Sequence, residues 1–138
     1  MSVATSADGT NPQEAAAVAS GWASQGFAAE PAPYAQTAQN RAQLAAAFPS
    51  TLIKPWNFAT SAPGNLRVSQ IGTLTNAWSG NNYGGYVNPD YDRLYSLFAN
   101  DLDPDRREQS LFQIIQLIDE QLPVLPMFYL PQTMAFRS

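Results

Sequence analysis

Neither histidine nor cysteine occurs in this 138-residue chain. The missing cysteine removes thiol nucleophiles, disulfides and thiolate metal ligands. The missing histidine removes the other common zinc and copper ligand and the side chain best matched to proton transfer near neutral pH. It also excludes a serine–histidine triad built on Ser24, Ser50, Ser61 or Ser79. A catalytic residue, a metal and a cofactor are therefore not expected. Charge is scarce as well: 13% of residues are charged and the net charge is −4. Arg106 and Arg107 are the only adjacent basic pair, and Asp103, Asp105 and Glu108 surround them. That balance gives no electrostatic reason to meet nucleic acid or an anionic membrane. No apolar run approaches the ~18 residues of a spanning helix. Met1 to Asn11 lacks the basic start and apolar stretch of a signal peptide; if the intact protein is exported, its signal lies upstream.

What remains is a composition fit for a packed core: 45% hydrophobic, 12% aromatic and 11 prolines. A solvated, disordered chain is poor in aromatics and rich in charge. Along the chain, Ser2 to Ser6 reads as a strand, and Ala7 to Thr10 as the turn after it. Asn11, Pro12 and Glu14 make a cap, a first-turn proline and a capping-box acid. They open an alanine-rich helix with Val18 and Trp22 on one face and Gly26 at its end. Phe27 to Glu30 is expected as a second strand before the Pro31-Ala32-Pro33 break. Gln36 to Phe48 reads as a helix, with Leu44 and Phe48 on one face and Pro49 closing it. Leu52 to Phe58 reads as a strand end, because Pro55 interrupts it. From Ala59 to Gly85, Gly, Ser, Asn and Thr dominate, as in a long loop with a helical turn near Asn65 to Ile71.

The last third repeats one device. Asn88-Pro89-Asp90 and Asp103-Pro104-Asp105 each place a cap before a proline. The first helix carries Tyr91, Leu94, Tyr95 and Phe98 at one-face spacing. The second is expected to bury Leu111, Ile114, Ile115, Ile118 and Leu122. Pro123 to Pro126 ends it, and Met127 to Leu130 reads as a short buried strand. The order of elements is mixed α/β.

Two features invite chemistry. Asp90, Asp92, Asp101, Asp103 and Asp105 form a dense acidic stretch, which a calcium site or a carboxylate-based hydrolase could use. It lacks the glycine and closing glutamate of a calcium loop, and helix starts attract acids through the macrodipole. Gly80 to Gly85 is glycine-rich without the Lys-Ser/Thr of a phosphate loop, and reads as a flexible loop or as a ligand-facing one. Trp22 belongs to a helix face. Trp56 and Trp78 stand near Asn57, Asn76, Asn81 and Asn82, rings beside amides, as a site for a peptide-like solute needs or as simple packing supplies.

The stretch from Trp78-Ser79-Gly80-Asn81-Asn82 through Tyr86-Val87-Asn88-Pro89-Asp90-Tyr91-Asp92 to Tyr95 resembles the C-terminal region of family 5 extracellular solute-binding proteins. Asp103-Pro104-Asp105-Arg106-Arg107 and the Pro123 to Tyr129 run extend the resemblance in the same order. These proteins are the oligopeptide- and dipeptide-binding components of ABC importers. The resemblance implies the C-terminal portion of a two-lobed periplasmic-binding-protein class II fold, present here in part. Residues 1–73 would belong to one lobe, and residues 74–138 to the crossing and the return into the other. It implies binding of a peptide or other small polar solute, delivery to importer permease subunits, and an extracytoplasmic location. Membrane contact would come only through the importer or a lipid anchor outside this chain. Trp56, Asn57, Trp78, Asn81 and Tyr83 are the implied ligand-binding residues. In the same register Ala59 stands where many peptide binders carry an aspartate for the peptide's free amine. A buried ammonium needs a partner, so a blocked peptide, a sugar or another polar solute fits better. A small aromatic-rich interaction module is the alternative class, with a carboxylate hydrolase behind it.

Overall fold

A computed structural model describes residues 1–7, 11–35, 41–47, 51–54 and 62–127. It is a small mixed α/β fold with a three-stranded parallel sheet, strand order β2-β1-β3. The strands are β1 (Ser2–Ser6), β2 (Glu30–Tyr34) and β3 (Thr51–Leu52); the α-helices are α1 (Asn11–Ser24), α2 (Arg41–Ala47), α3 (Pro89–Asn100) and α4 (Pro104–Gln121). The expected α/β class holds, while among the described residues there is one sheet and no second lobe is visible.

Strand β1 is central, and Val3, Ala4 and Thr5 are fully buried. Neighbours on both sides pair its edges, and in parallel sheets packed helices and their connections cover the faces. Helix α1 packs on it through Ala15 and Ala19, one turn apart, with Val18, Trp22, Ala29 and Ile53 around Val3. Two alanines at that spacing let the helix axis approach the sheet closely. The helix stops where expected: Gly26 takes φ +88°, and its N–H bonds the Ala23 carbonyl. Asn11 is the first helical residue, and its side-chain amide donates to Ser6 Oγ at 2.6 Å.

The second strand is not at Phe27 to Glu30. It begins at Glu30 and runs through both prolines, in register Glu30 with Ser2 and Tyr34 with Ser6. The alternation of a parallel strand explains this. Glu30 N–H donates to Met1 O and Tyr34 O accepts from Ala7 N–H, so the even residues face β1. Pro31 and Pro33 face away, on an open edge where a missing N–H costs nothing. The prolines also keep that edge from recruiting another strand.

A second core forms downstream from Leu66, Tyr91, Leu94 and Ile114, with Tyr86, Tyr95, Phe98, Leu117, Ile118 and Val124 packed against it. Two of the three expected caps, Asn88 and Asp103, are in place, whereas Asn11 stands inside its helix and spends its side chain on Ser6. Asn88 Oδ1 accepts from the Asp90 and Tyr91 amides at 2.9 and 3.1 Å, and Asp103 Oδ1 from Asp105 and Arg106 at 3.0 and 3.4 Å. The α3 stripe is as expected, with Tyr91 and Leu94 buried and Tyr95 and Phe98 half-buried.

The α4 stripe is rotated from the expected one. Ser110, Ile114, Leu117 and Ile118 face α3, while Ile115 is 53% and Leu122 55% exposed. Apolar residues lie on two sides of this helix, and the geometry of α3 selects one of them. Leu122 ends α4 in the left-handed region at φ 47°. Met127 is exposed and not in a strand. The rest of that expected strand, like the Ala7 to Thr10 turn beyond Ala7, Phe48, Pro49 and the run from Pro55 to Phe58, lies outside the described residues.

Candidate functional site

The glycine- and amide-rich stretch leading to α3 is built of single 3-10 turns at Ala62–Leu66, Val68–Gln70 and Leu74–Asn76. The expected helical turn near Asn65 to Ile71 is thus present as two of them. Asparagine side chains supply the bonds that a sheet or long helix would supply elsewhere. Asn76 Oδ1 accepts from Thr73 N–H at 2.7 Å and its Nδ2 donates to Ile71 O at 2.8 Å. The chain then turns through Ala77 and Trp78, both left-handed at φ 54° and 60°. At Gly80, φ is +129°, and a Cβ there would lie 2.2 Å from the Gln70 carbonyl. Only glycine tolerates both the backbone angle and the contact.

Asn82 anchors the segment beyond this turn. It is 2% exposed. Its backbone N–H donates to Gln70 O at 2.9 Å. Its Nδ2 reaches Leu66 O, Arg67 O and Tyr86 O at 3.0, 3.1 and 2.8 Å. Its Oδ1 accepts from Tyr86 N–H at 2.9 Å. An amide nitrogen has two hydrogens, so two of the three carbonyls share one. One buried side chain thereby ties the 3-10 turns to the entry of α3. Tyr86 and Asn88 continue the network at Gln121 of α4, whose Oε1 accepts from both at 2.8 and 3.0 Å. Beneath it, Tyr91 donates its hydroxyl proton to Pro63 O at 2.7 Å, and burial pushes its phenol well above the ordinary range. Arg67 lies over the Tyr95 ring, 4.9 Å from its centroid. Its Nε is buried without a hydrogen-bond partner among the described residues.

On either side of the inward Asn82, Asn81 is exposed and Tyr83 is half-buried. Asn81 Oδ1 accepts from the Tyr83 hydroxyl at 3.0 Å. Its Nδ2 donates to Asn65 Oδ1 at 3.3 Å. The ammonium of Lys54, just past β3, lies 3.4 Å from the Tyr83 ring centroid. Of the five implied ligand-binding residues, the structure joins Asn81 to Tyr83 directly. Trp78 is half-buried three residues earlier, and among the described residues no hydrogen bond or ring contact ties its side chain to that pair. Trp56 and Asn57, like Ala59, lie outside the described residues.

Sequence reasoning missed Lys54, Asn65 and the central role of Asn82. The sequence shows two adjacent asparagines, but which one faces inward depends on carbonyls 15 and 16 residues away. Lys54 could have been noticed as the only lysine in the chain.

The acidic stretch has local duties. Asp92 Oδ1 accepts from Val68 N–H at 3.2 Å, and Asp90 pairs with Arg93 at 3.4 Å. Asp101 and Asp103 share Arg106 at 3.3 Å each. Among the surface hollows of the described residues, one lies over Leu111, Phe112 and Ile115 of α4 and another over Leu97 and Leu102. Neither is lined by Trp78, Asn81 or Tyr83.

No protein-family model, curated protein or solved structure matches this chain.

Proposed function

We propose that this chain captures a small polar solute for import, as the C-terminal portion of a two-lobed extracytoplasmic solute-binding protein that hands its cargo to ABC importer permeases. The observation that carries this reading is the hydrogen-bonded pair of exposed Asn81 and half-buried Tyr83, held by a loop whose inward residue, Asn82, is fully bonded. A ring beside an amide offers an apolar surface and a hydrogen-bonding edge, the combination that recognises a peptide-like group. Pre-fixing them from below lowers the ordering cost of binding. The segment that resembles family 5 solute-binding proteins, Trp78 to Tyr95, is the one this wiring holds. In such a fold the facing wall of the cleft belongs to another part of a longer protein, so this chain alone should bind weakly.

The test is a fluorescence titration of the chain with blocked dipeptides, disaccharides and free amino acids. A saturable change with one class, reduced by Tyr83→Leu, is expected. A response to none of them, or one indifferent to Tyr83→Leu, would count against solute capture. The exposed apolar face of α4, Phe112 and Ile115 above all, favours a second reading as an interaction module. That reading predicts self-association or protein binding that Phe112→Ser abolishes.

A further inference from the structure

Resting on that reading, we infer that the cluster of Lys54, Tyr83, Asn81 and Asn65 receives a carboxylate of the solute. Charge distribution comes first. Between Glu30 and Asp90 the sequence holds no acidic residue, yet Arg41, Lys54 and Arg67 fall within it. A chain of net charge −4 thus carries one long positive stretch, and the loop lies in it. Lys54 is exposed, and among the described residues no carboxylate pairs with it. Its ammonium rests on the Tyr83 ring at 3.4 Å, which positions the charge while leaving its outer side open. A cation–π contact of this kind constrains the lysine without neutralising it.

The hydrogen bonds point the same way. Tyr83 donates to Asn81, and Asn81 donates to Asn65. In this orientation each amide oxygen already accepts one bond, and the Asn65 NH2 and the second proton of Asn81 Nδ2 have no hydrogen-bond partner among the described residues. Ammonium and amide donors together suit a carboxylate, and charge-assisted bonds of this type are about twice as strong as neutral ones.

The probes are acetyl-glycyl-glycine and its C-terminal amide, titrated into the chain while the side-chain amide signals of Asn65 and Asn81 are followed by NMR. The acid should move both signals with an affinity roughly tenfold above the amide, the worth of one charge-assisted contact. Lys54→Gln should abolish that preference, and Lys54→Arg should retain it. Lys54 is exposed, so an unchanged backbone spectrum will certify the fold of either variant. Equal binding of acid and amide overturns the carboxylate assignment and leaves solute capture standing. An acid preference that survives Lys54→Gln, or stronger binding of inorganic phosphate, also overturns it. If neither probe nor phosphate moves these signals, the assignment fails, and the panel titration decides capture independently.

Discussion

The two cores are built on different principles. The N-terminal one, around Val3, Ala15 and Ala19, is made of small side chains and held by strand pairing and a close helix. The C-terminal one, around Leu66, Tyr91, Leu94 and Ile114, is made of large ones, with the Tyr86 and Tyr91 rings edge to face at 5.5 Å. Burial scales with apolar area, so the second core should contribute more per residue. It also carries the polar wiring of Asn82 and two helix caps. The contrast teaches where a site can be placed: loops presented by the well-anchored half can be irregular in backbone and still hold their outward groups in position.

The largest expected effect separates two neighbouring isoleucines. Ile114 is fully buried and Ile115 is 53% exposed. Ile114→Ala should destabilise the C-terminal half by about 3 kcal/mol, the usual cost of such a cavity. Ile115→Ala should stay within about 0.5 kcal/mol. Urea unfolding of both measures this, and equal losses would mean α4 packs through another face. Next comes Asn82→Ala, which strips partners from three carbonyls and one amide. A loss of about 2–3 kcal/mol is expected, the range for buried groups left unpaired. Hydrogen exchange should show the opening confined to residues 62–88, with β1 unaffected.

Elements decided by nearest neighbours were legible in the sequence. The caps at Asn88 and Asp103, the Gly26 stop and the α3 stripe each depend on a few adjacent residues, and each formed as expected. The course of β2 depends on which side of the strand meets β1, which is a tertiary fact. Local rules therefore read Pro31 and Pro33 as a break. The stripe on α4 was ambiguous because Leu111, Phe112 and Ile115 compete with Ile114, Leu117 and Ile118. In the site, Asn81 and Tyr83 could be singled out from residue type. Asn82 and Lys54 act through partners far away in sequence, and residue type does not reveal that.

Alkali offers a third comparison. Tyr91 is raised by burial first, then by the nearby Tyr86, Tyr95 and Asp92, above the ordinary tyrosine value of 10.0. The unfolded chain therefore releases this proton first. The stabilisation is complete below about pH 10 and is lost above it, by at most about 1.4 kcal/mol per pH unit. Tyr86 is also raised, by burial, against a lowering bond from Asn88. Tyr91→Phe should flatten the decline without removing it, which thermal unfolding between pH 9 and 11 would reveal. Smaller still, Asn88→Ala and Asp103→Ala should each cost about 1 kcal/mol, the usual loss for a cap. Calorimetry should show both losses in the α3–α4 half.

The most direct test of solute capture is to map, residue by residue, which backbone amides shift when the best ligand of the panel saturates the chain. Capture at the loop predicts shifts at Trp78, Asn81 and Tyr83, with α4 silent. Shifts confined to Leu111, Phe112 and Ile115, with the loop unmoved, would contradict it.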